Sequence, residues 1–115
     1  MRDTLVLIRG DIVYIFSKGK NNEYDMTDGG YAVVVSKPHK NRQKHIDVVW
    51  INHNSRLYAA AYPEVWHRGE EVTVQCGQVA RIDRRRVLYI DGHCSKKEMA
   101  RIDAAINGRY GLDAR

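Results

Sequence analysis

Residues 9–16 read Arg-Gly-Asp-Ile-Val-Tyr-Ile-Phe, a turn signal followed by a β-branched and aromatic run. Such a run, which lacks helical periodicity, predicts a buried strand over residues 12–16. Three later runs have the same character, at residues 31–36, 46–51 and 72–76. Repeated short strands of this kind indicate a mostly β domain.

Two further strands are less regular. Residues 57–61 and 64–67 are separated by Pro63, which lacks a backbone N–H and therefore favours an edge strand or a bulge. Residues 87–90 are predicted to form a short extended segment. Residues 17–30 are polar and rich in Gly, Asn and Asp, which indicates a long loop, and long loops often carry function.

The C-terminal segment changes to helical periodicity. Ser95 and Glu98 match the capping box S-x-x-E, in which the hydroxyl and the carboxylate accept free backbone N–H groups at a helix start. Apolar side chains then recur at helical spacing, at Met99, Ile102, Ile106 and Tyr110, and Gly111 predicts the stop. We expect this stripe to pack on the core, which gives a small, mostly β barrel with a C-terminal α-helix.

Length and composition bound the class of protein. The chain has 115 residues, of which 43% are hydrophobic, so we expect one compact domain spanning residues 1–115 rather than a multidomain or disordered protein. A net charge of +5 favours an anionic partner. The apolar patch at residues 5–8 is too short for a signal peptide or a spanning helix. Cys76 and Cys94 lie outside any CxxC motif, so we expect reduced thiols in a cytoplasmic protein.

Metal and nucleotide chemistry are not indicated. The five histidines lack H-x-x-x-H or H-E-x-x-H spacing and have no Cys pair nearby, so we expect no metal. The sequence contains no phosphate-binding G-x-x-x-x-G-K motif, and we expect no cofactor. Cys76 lies in an alternating strand, where a packing thiol is more usual than a nucleophile.

Basic residues cluster at residues 37–45 and 81–86. Aromatic residues accompany them, namely Tyr24, Tyr31, Trp50, Tyr58 and Trp66. Cations that bind phosphates beside rings that stack on bases are typical of surfaces for single-stranded nucleic acid. The alternative is a solvated charged face above core aromatics.

A polar turn, Asn-His-Asn-Ser-Arg at residues 52–56, follows the third strand. Metal-independent RNA cleavage needs a base for the 2′-hydroxyl, an acid for the leaving oxygen and a cation for the phosphorane. His53 is the candidate acid or base, with Asn52 and the loop residue Asp25 as further catalytic candidates. The alternative is a polar hairpin loop without a catalytic role.

The order and spacing of these segments resemble the MazF/PemK family of toxins from toxin–antitoxin pairs, from about Arg9 to Leu112. The resemblance rests on Arg-Gly-Asp-Ile-Val-Tyr at 9–14, Ala-Val-Val-Val-Ser at 32–36, residues 46–51, Cys-Gly-Gln-Val at 76–79, Arg-Ile-Asp-Arg-Arg-Arg at 81–86, Gly-His-Cys-Ser at 92–95 and residues 98–106. It implies an SH3-like barrel of the CcdB/MazF type and a homodimer. It further implies sequence-specific, metal-independent cleavage of single-stranded RNA, and a cognate antitoxin whose acidic tail covers the RNA surface.

Three positions depart from the family pattern. Gly30 stands where the family has an arginine that stabilises the phosphorane, Asn52 where it has Thr or Ser, and Gly77 where it usually has an acid. Asp25 corresponds to the acid of the family's Gly-Ser-Glu stretch. Three interpretations follow. The first is a divergent endoribonuclease, and the second is an inactive member that binds RNA, an antitoxin or another protein without cleaving. The third is a poison of a DNA enzyme, as in the related CcdB toxins.

In the endoribonuclease interpretation, His53 is the acid or base, while Arg56 and Lys37 clamp the phosphate. Asn52 and Gln78 make polar contacts. The complete set of predicted RNA contacts is Lys37, Lys40, Arg42, Arg56, Gln78 and Arg84.

Overall fold

The computed structural model describes residues 6–16, 30–37, 43–52 and 62–108. These residues form β1 (Asp11–Ile15), β2 (Gly30–Val34), β3 (His45–Asn52), β4 (Glu64–His67), β5 (Glu70–Asp83), a 3₁₀ turn (Arg84–Arg86), β6 (Val87–His93) and α1 (Lys96–Ile106). The strands pair antiparallel in the order β4-β5-β3-β2-β1-β6. The predicted mostly β barrel with a C-terminal helix is therefore confirmed. Within the described ranges, no helix combines the length and apolarity needed to span a membrane.

Strands β1, β2 and β3 bury side chains on both faces, which is why their sequences are continuous β-branched runs. One face carries Ile12, Val33 and Val49, and the core there is completed by α1 through Ile102. The other face carries Val13, Val34 and Val48, and is completed by Leu7, Ile82 and Val87. The curled sheet thus contains two apolar clusters around the same strands.

The helix begins as the sequence predicts. The Ser95 hydroxyl accepts the Glu98 N–H at 3.0 Å, and the Glu98 carboxylate accepts the Ser95 N–H at 2.8 Å. Ile102 is fully buried, and Met99 and Ile106 pack against the same cluster. The stripe is core packing, as predicted.

The helix ends earlier than Gly111. Asn107 caps α1, and Gly108 follows in the left-handed region with φ +77°, where its N–H donates to the Ala105 carbonyl at 3.0 Å. A glycine in this conformation is a common helix stop because it lacks a Cβ. Tyr110 and Gly111 lie outside the described residues.

Strand β5 is much longer than the five residues predicted at 72–76. Its register with β3 shifts between Val48, opposite Ala80, and Trp50, opposite Gln75. The exposed residues 77–79 lie in this irregular stretch, so the alternation stops although the strand continues. Strand β4 lies at the sheet edge, as predicted from Pro63, while residues 57–61 are outside the described part.

Both cysteines are buried and unbonded to each other. Burial raises the pKa of the Cys76 thiol and of the Cys94 thiol to about 12. Both thiols are therefore protonated at neutral pH, which disfavours a nucleophilic role for Cys76.

Candidate functional site

A polar and aromatic cluster lies where the two edge strands of the curled sheet approach each other. Its members come from β1, β2, β4, β6 and the β4–β5 turn: Tyr14, Tyr31, His67, Arg68, Tyr89 and Asp91. Register places three of these side chains together, because Tyr14 pairs with Tyr31 across β1–β2 and with Tyr89 across β1–β6.

The three tyrosine rings form one aromatic surface. Tyr14 stacks on Tyr89, with ring centroids 5.4 Å apart and planes inclined by 14°, and meets Tyr31 edge-on at 5.0 Å. The hydroxyls of Tyr31 and Tyr89 are 3.0 Å apart. This hydrogen bond, together with burial, raises the pKa of Tyr31 to about 12. The Tyr31 hydroxyl is therefore a proton donor at neutral pH.

Asp91 links the edge strands β4 and β6. Its Oδ2 lies 2.7 Å from Nε2 of His67, whose side chain is only 2% exposed. The β1–β6 register shifts between Ile12, opposite Gly92, and Val13, opposite Ile90, so Asp91 occupies a bulge. Bulges redirect side chains and are common beside functional sites.

Arg68 completes the cluster. Its Nε and Nη2 donate to the two Asp91 carboxylate oxygens at 2.9 and 3.2 Å. Its guanidinium carbon lies 5.1 Å from the Tyr31 ring centroid. The hydrogen bond from Arg68, assisted by that from His67, lowers the pKa of Asp91, so this carboxylate is ionised at neutral pH.

The backbone at Arg68 is unfavourable for this residue type. His67 pairs with Glu70, and the two residues between them, Arg68 and Gly69, have φ of +56° and +84°. Two-residue hairpins with positive φ at both positions prefer Asn-Gly or Gly-Gly. A left-handed conformation costs an ordinary residue about 1–2 kcal/mol. The hairpin therefore places an arginine where local stability favours another residue.

The cluster combines groups suited to an anionic ligand that also carries flat rings. Arg68 is 57% exposed along its side chain and offers a fixed, delocalised cation. Tyr89 is 40% exposed and presents an aromatic surface. A phosphate and a stacked base have this combination of charge and shape.

The predicted site residues that the structure describes lie in two places. Antiparallel pairing puts Gly30, at the start of β2, and Asn52, at the end of β3, at the barrel end where Tyr31 lies. Lys37 follows the other end of β2, and the Arg84 N–H donates to the carbonyl of Lys44 just before β3, roughly 20 Å from Asn52 along that strand. Gln78 is exposed in the irregular part of β5. Their catalytic and RNA-binding roles stay predictions.

The remaining predicted site residues lie outside the described ranges. They are Asp25, Lys40, Arg42, His53 and Arg56. Their catalytic and RNA-binding roles stay predictions as well.

Arginines of the second basic cluster, residues 81–86, make contacts within the protein. Arg81 lies 3.7 Å from Asp47, Arg85 forms an ion pair with Asp83, and Arg86 donates to the Phe16 carbonyl. These contacts give the run a structural role at the end of β5.

The Tyr62 side chain leaves little space for a side chain at position 77. A Cβ built at this position would lie 3.3 Å from the Tyr62 hydroxyl oxygen, which is closer than most Cβ contacts. An acid at Gly77 would therefore require Tyr62 to move.

Of this cluster, the sequence indicates only Tyr31, as an aromatic candidate, and none of its neighbours. Tyr14 and Tyr89 read as strand residues, and His67, Arg68 and Asp91 match no spacing motif. The one available signal was the pair Arg68-Gly69 between two strands, which is an unusual hairpin turn.

Several solved structures share this fold. The chain superposes on an endoribonuclease in complex with its cognate antitoxin from a mycobacterial species, with TM-score 0.70, 15% identity and coverage of 92% of this chain and 96% of that chain. It also superposes on a MazE–MazF complex (Form-II) from Deinococcus radiodurans, with TM-score 0.65, 14% identity and coverage of 90% and 94%. MazF (Form-I) from the same organism gives TM-score 0.60, 18% identity and coverage of 96% and 97%. At these identities, the likeness shows the fold.

Sequence comparison assigns the family. Among curated proteins, no sequence matches this chain significantly. The sequence profile of the PemK-like, MazF-like toxins of type II toxin–antitoxin systems matches residues 8–108, which is most of the chain. The chain therefore belongs to the PemK-like, MazF-like toxin family of type II toxin–antitoxin systems.

Proposed function

We propose that this toxin is a metal-independent endoribonuclease that cleaves single-stranded RNA. The observation that carries the proposal is the convergence of Arg68, Tyr31 and the His67–Asp91 pair at one end of a toxin-family barrel. The solved structures with the same fold include endoribonucleases, which supports this activity over binding without cleavage.

The cluster supplies two of the three groups that the reaction needs. The Arg68 guanidinium is the cation that stabilises the negative phosphorane, in place of the arginine that is absent at Gly30. Tyr31, protonated because its pKa is about 12, donates the proton to the leaving oxygen. His67 is too buried to meet RNA and positions Asp91 instead. His53, predicted from the sequence as the acid or the base, is then proposed as the base for the 2′-hydroxyl.

We propose an acidic cognate antitoxin as the protein partner. The net charge of +5 favours an acidic chain, and structural neighbours from mycobacteria and Deinococcus radiodurans are complexes with antitoxins. An acidic segment that covers Arg68 would compete with RNA for the same guanidinium.

We also propose a homodimer in the cytoplasm. Ile8, Leu88 and Ile90 are exposed apolar side chains on β6 and the segment before its neighbour β1, and a second copy would cover them. Light scattering coupled to size-exclusion chromatography measures the mass in solution, and a monomer at micromolar concentration would contradict the dimer.

Cleavage of a long mixed-sequence RNA in the presence of EDTA tests the endoribonuclease. We expect discrete fragments from the wild type, and strongly reduced cleavage by Tyr31→Phe and by His53→Ala. Arg85→Asn, which alters an exposed arginine paired with Asp83, is the control and should cleave normally. Intact RNA that is shifted in a native gel would support the binding-only alternative.

A further inference from the structure

We propose that the tyrosine cluster is a nucleotide subsite in which Arg68 binds an RNA phosphate and Tyr89 stacks on the adjoining base. The proposal rests on the proposed action on single-stranded RNA, and it adds the binding residues and their division of labour. Tyr31 lies between the two groups, bonded to Tyr89 through its hydroxyl and covered by Arg68 on its ring.

Arg68 is oriented for a phosphate before any ligand binds. Asp91 receives two of the five guanidinium N–H donors, and His67 fixes Asp91 from the buried side. These bonds fix the orientation of the guanidinium, while more than half of the side chain stays exposed. A guanidinium whose orientation is already fixed loses little conformational entropy when it binds two phosphate oxygens.

Tyr89 offers the place for the base. Its ring is stacked on Tyr14 from one side, and 40% of the residue is exposed. Every base has a π-face, so stacking on such a ring is tolerant of sequence and suits a single strand. An acidic peptide would bind Arg68 but would gain nothing from this ring, which favours RNA as the ligand.

The backbone gives an independent argument for function. Arg68 occupies the first central position of a two-residue hairpin with positive φ, where Asn would be more stable. Strained positions of this kind persist at binding sites, where the side chain is needed. The turn itself gives no reason for an arginine here, which supports a binding role for its side chain.

The test replaces Arg68 by the residue that the turn prefers. Arg68→Asn should fold with a Tm close to that of the wild type, because the relief of backbone strain at the turn offsets the loss of the exposed ion pair with Asp91. It should bind single-stranded RNA about tenfold more weakly. The probe is a fluorescent mixed-sequence 2′-O-methyl RNA, which cannot be cleaved because its 2′-oxygens are blocked, and the readout is fluorescence anisotropy. Arg85→Asn is the matched control. Arg85 is also exposed and also donates two side-chain hydrogen bonds to an aspartate, Asp83, but it belongs to the 3₁₀ turn and not to the tyrosine cluster.

A second pair of variants tests the stacking. Tyr89→Leu should weaken binding about tenfold, whereas Tyr89→Phe, which keeps the ring, should bind within about twofold of the wild type. Unchanged binding by Arg68→Asn, or an equal loss in Arg85→Asn, would overturn the subsite. The same holds if Tyr89→Leu binds normally. Because the probe cannot be cleaved, a wild type that fails to cut RNA in the EDTA assay contradicts the proposed function alone, and the binding results still decide the subsite.

Discussion

Gly10 is a residue whose identity follows from two independent constraints. Its φ is +100°, and a Cβ there would lie 3.0 Å from Cε1 of His93. We expect Gly10→Ala to lower the free energy of unfolding by about 2–4 kcal/mol, from backbone strain and the clash together. Gly108→Ala is the matched control, because φ is +77° there and nothing lies within 4 Å of the added Cβ. It should cost about 1 kcal/mol in urea unfolding. Equal losses would show that the clash with His93 contributes nothing.

Tyr31 makes a prediction about titration. Its hydrogen bond with Tyr89 and its burial raise its pKa to about 12, while a tyrosine in the unfolded chain titrates near 10. Between these values the folded protein retains a proton that the unfolded chain loses, so stability falls as pH rises from about 10 to 12. Phenolate absorbance should show this late titration, which Tyr31→Phe removes and Tyr89→Phe moves toward lower pH. A late titration that survives in Tyr31→Phe would contradict the assignment.

At the scale of single residues, the sequence indicated residue types and not their arrangement in space. Basic and aromatic residues indicated an RNA surface, and Tyr31 was among them. The cluster around it depends on pairing between strands that are distant in the sequence: Tyr14, Tyr31 and Tyr89 become neighbours only through the β1–β2 and β1–β6 registers. No local spacing encodes a bulge that turns Asp91 toward His67, so this part of the site required the structure.

Among the elements, α1 is attached to the sheet through Glu98. One carboxylate oxygen accepts the Ser95 N–H of the capping box at 2.8 Å, and the other accepts the Trp66 N–H of edge strand β4, also at 2.8 Å. We expect Glu98→Ala to cost about 2–3 kcal/mol, because it removes the reciprocal cap and leaves a strand N–H without its partner. Ser95→Ala loses only the hydroxyl half of the cap and should cost about 1 kcal/mol in the same urea titration. A Glu98→Ala loss no larger than that of Ser95→Ala would show that the contact with β4 is unimportant.

Elements were predictable wherever one physical signal dominated. The capping box located the start of α1, and β-branched runs located β1, β2 and β3, because their side chains are buried on both faces. Apolar periodicity did not locate the end of β5 or the end of α1. Strand β5 continues through exposed residues around Gly77, and α1 ends at Asn107-Gly108 although the apolar stripe continues in sequence to Tyr110.

On the scale of the whole molecule, Asp91 joins the two edge strands of the nearly closed sheet. It bonds His67 and Arg68 of the β4 hairpin from its place on β6, and the nearly buried His67 ring would lose this partner in Asp91→Ala. We expect that variant to lose about 2–3 kcal/mol of stability, and amide hydrogen exchange to quicken in both β4 and β6.

The control for the edge contact is Asp83→Ala. Asp83 pairs with Arg85 only two residues away and also accepts the Arg85 N–H at the start of the 3₁₀ turn, so Asp83→Ala should cost about 1 kcal/mol and leave exchange in β4 and β6 unchanged. Arg68 and His67 lower the pKa of Asp91 in the folded protein, so its contribution is present above the ordinary carboxyl pKa, near 4, and is lost as pH falls through the lowered value. The stability difference between wild type and Asp91→Ala should therefore shrink in acid. Unchanged hydrogen exchange in β4 and β6 of Asp91→Ala would show that Asp91 does not hold the two edge strands together. If Asp91 does hold the edge strands together, Asp91→Ala should also weaken RNA binding, because Arg68 in the β4–β5 turn and Tyr89 on β6 would no longer be held side by side.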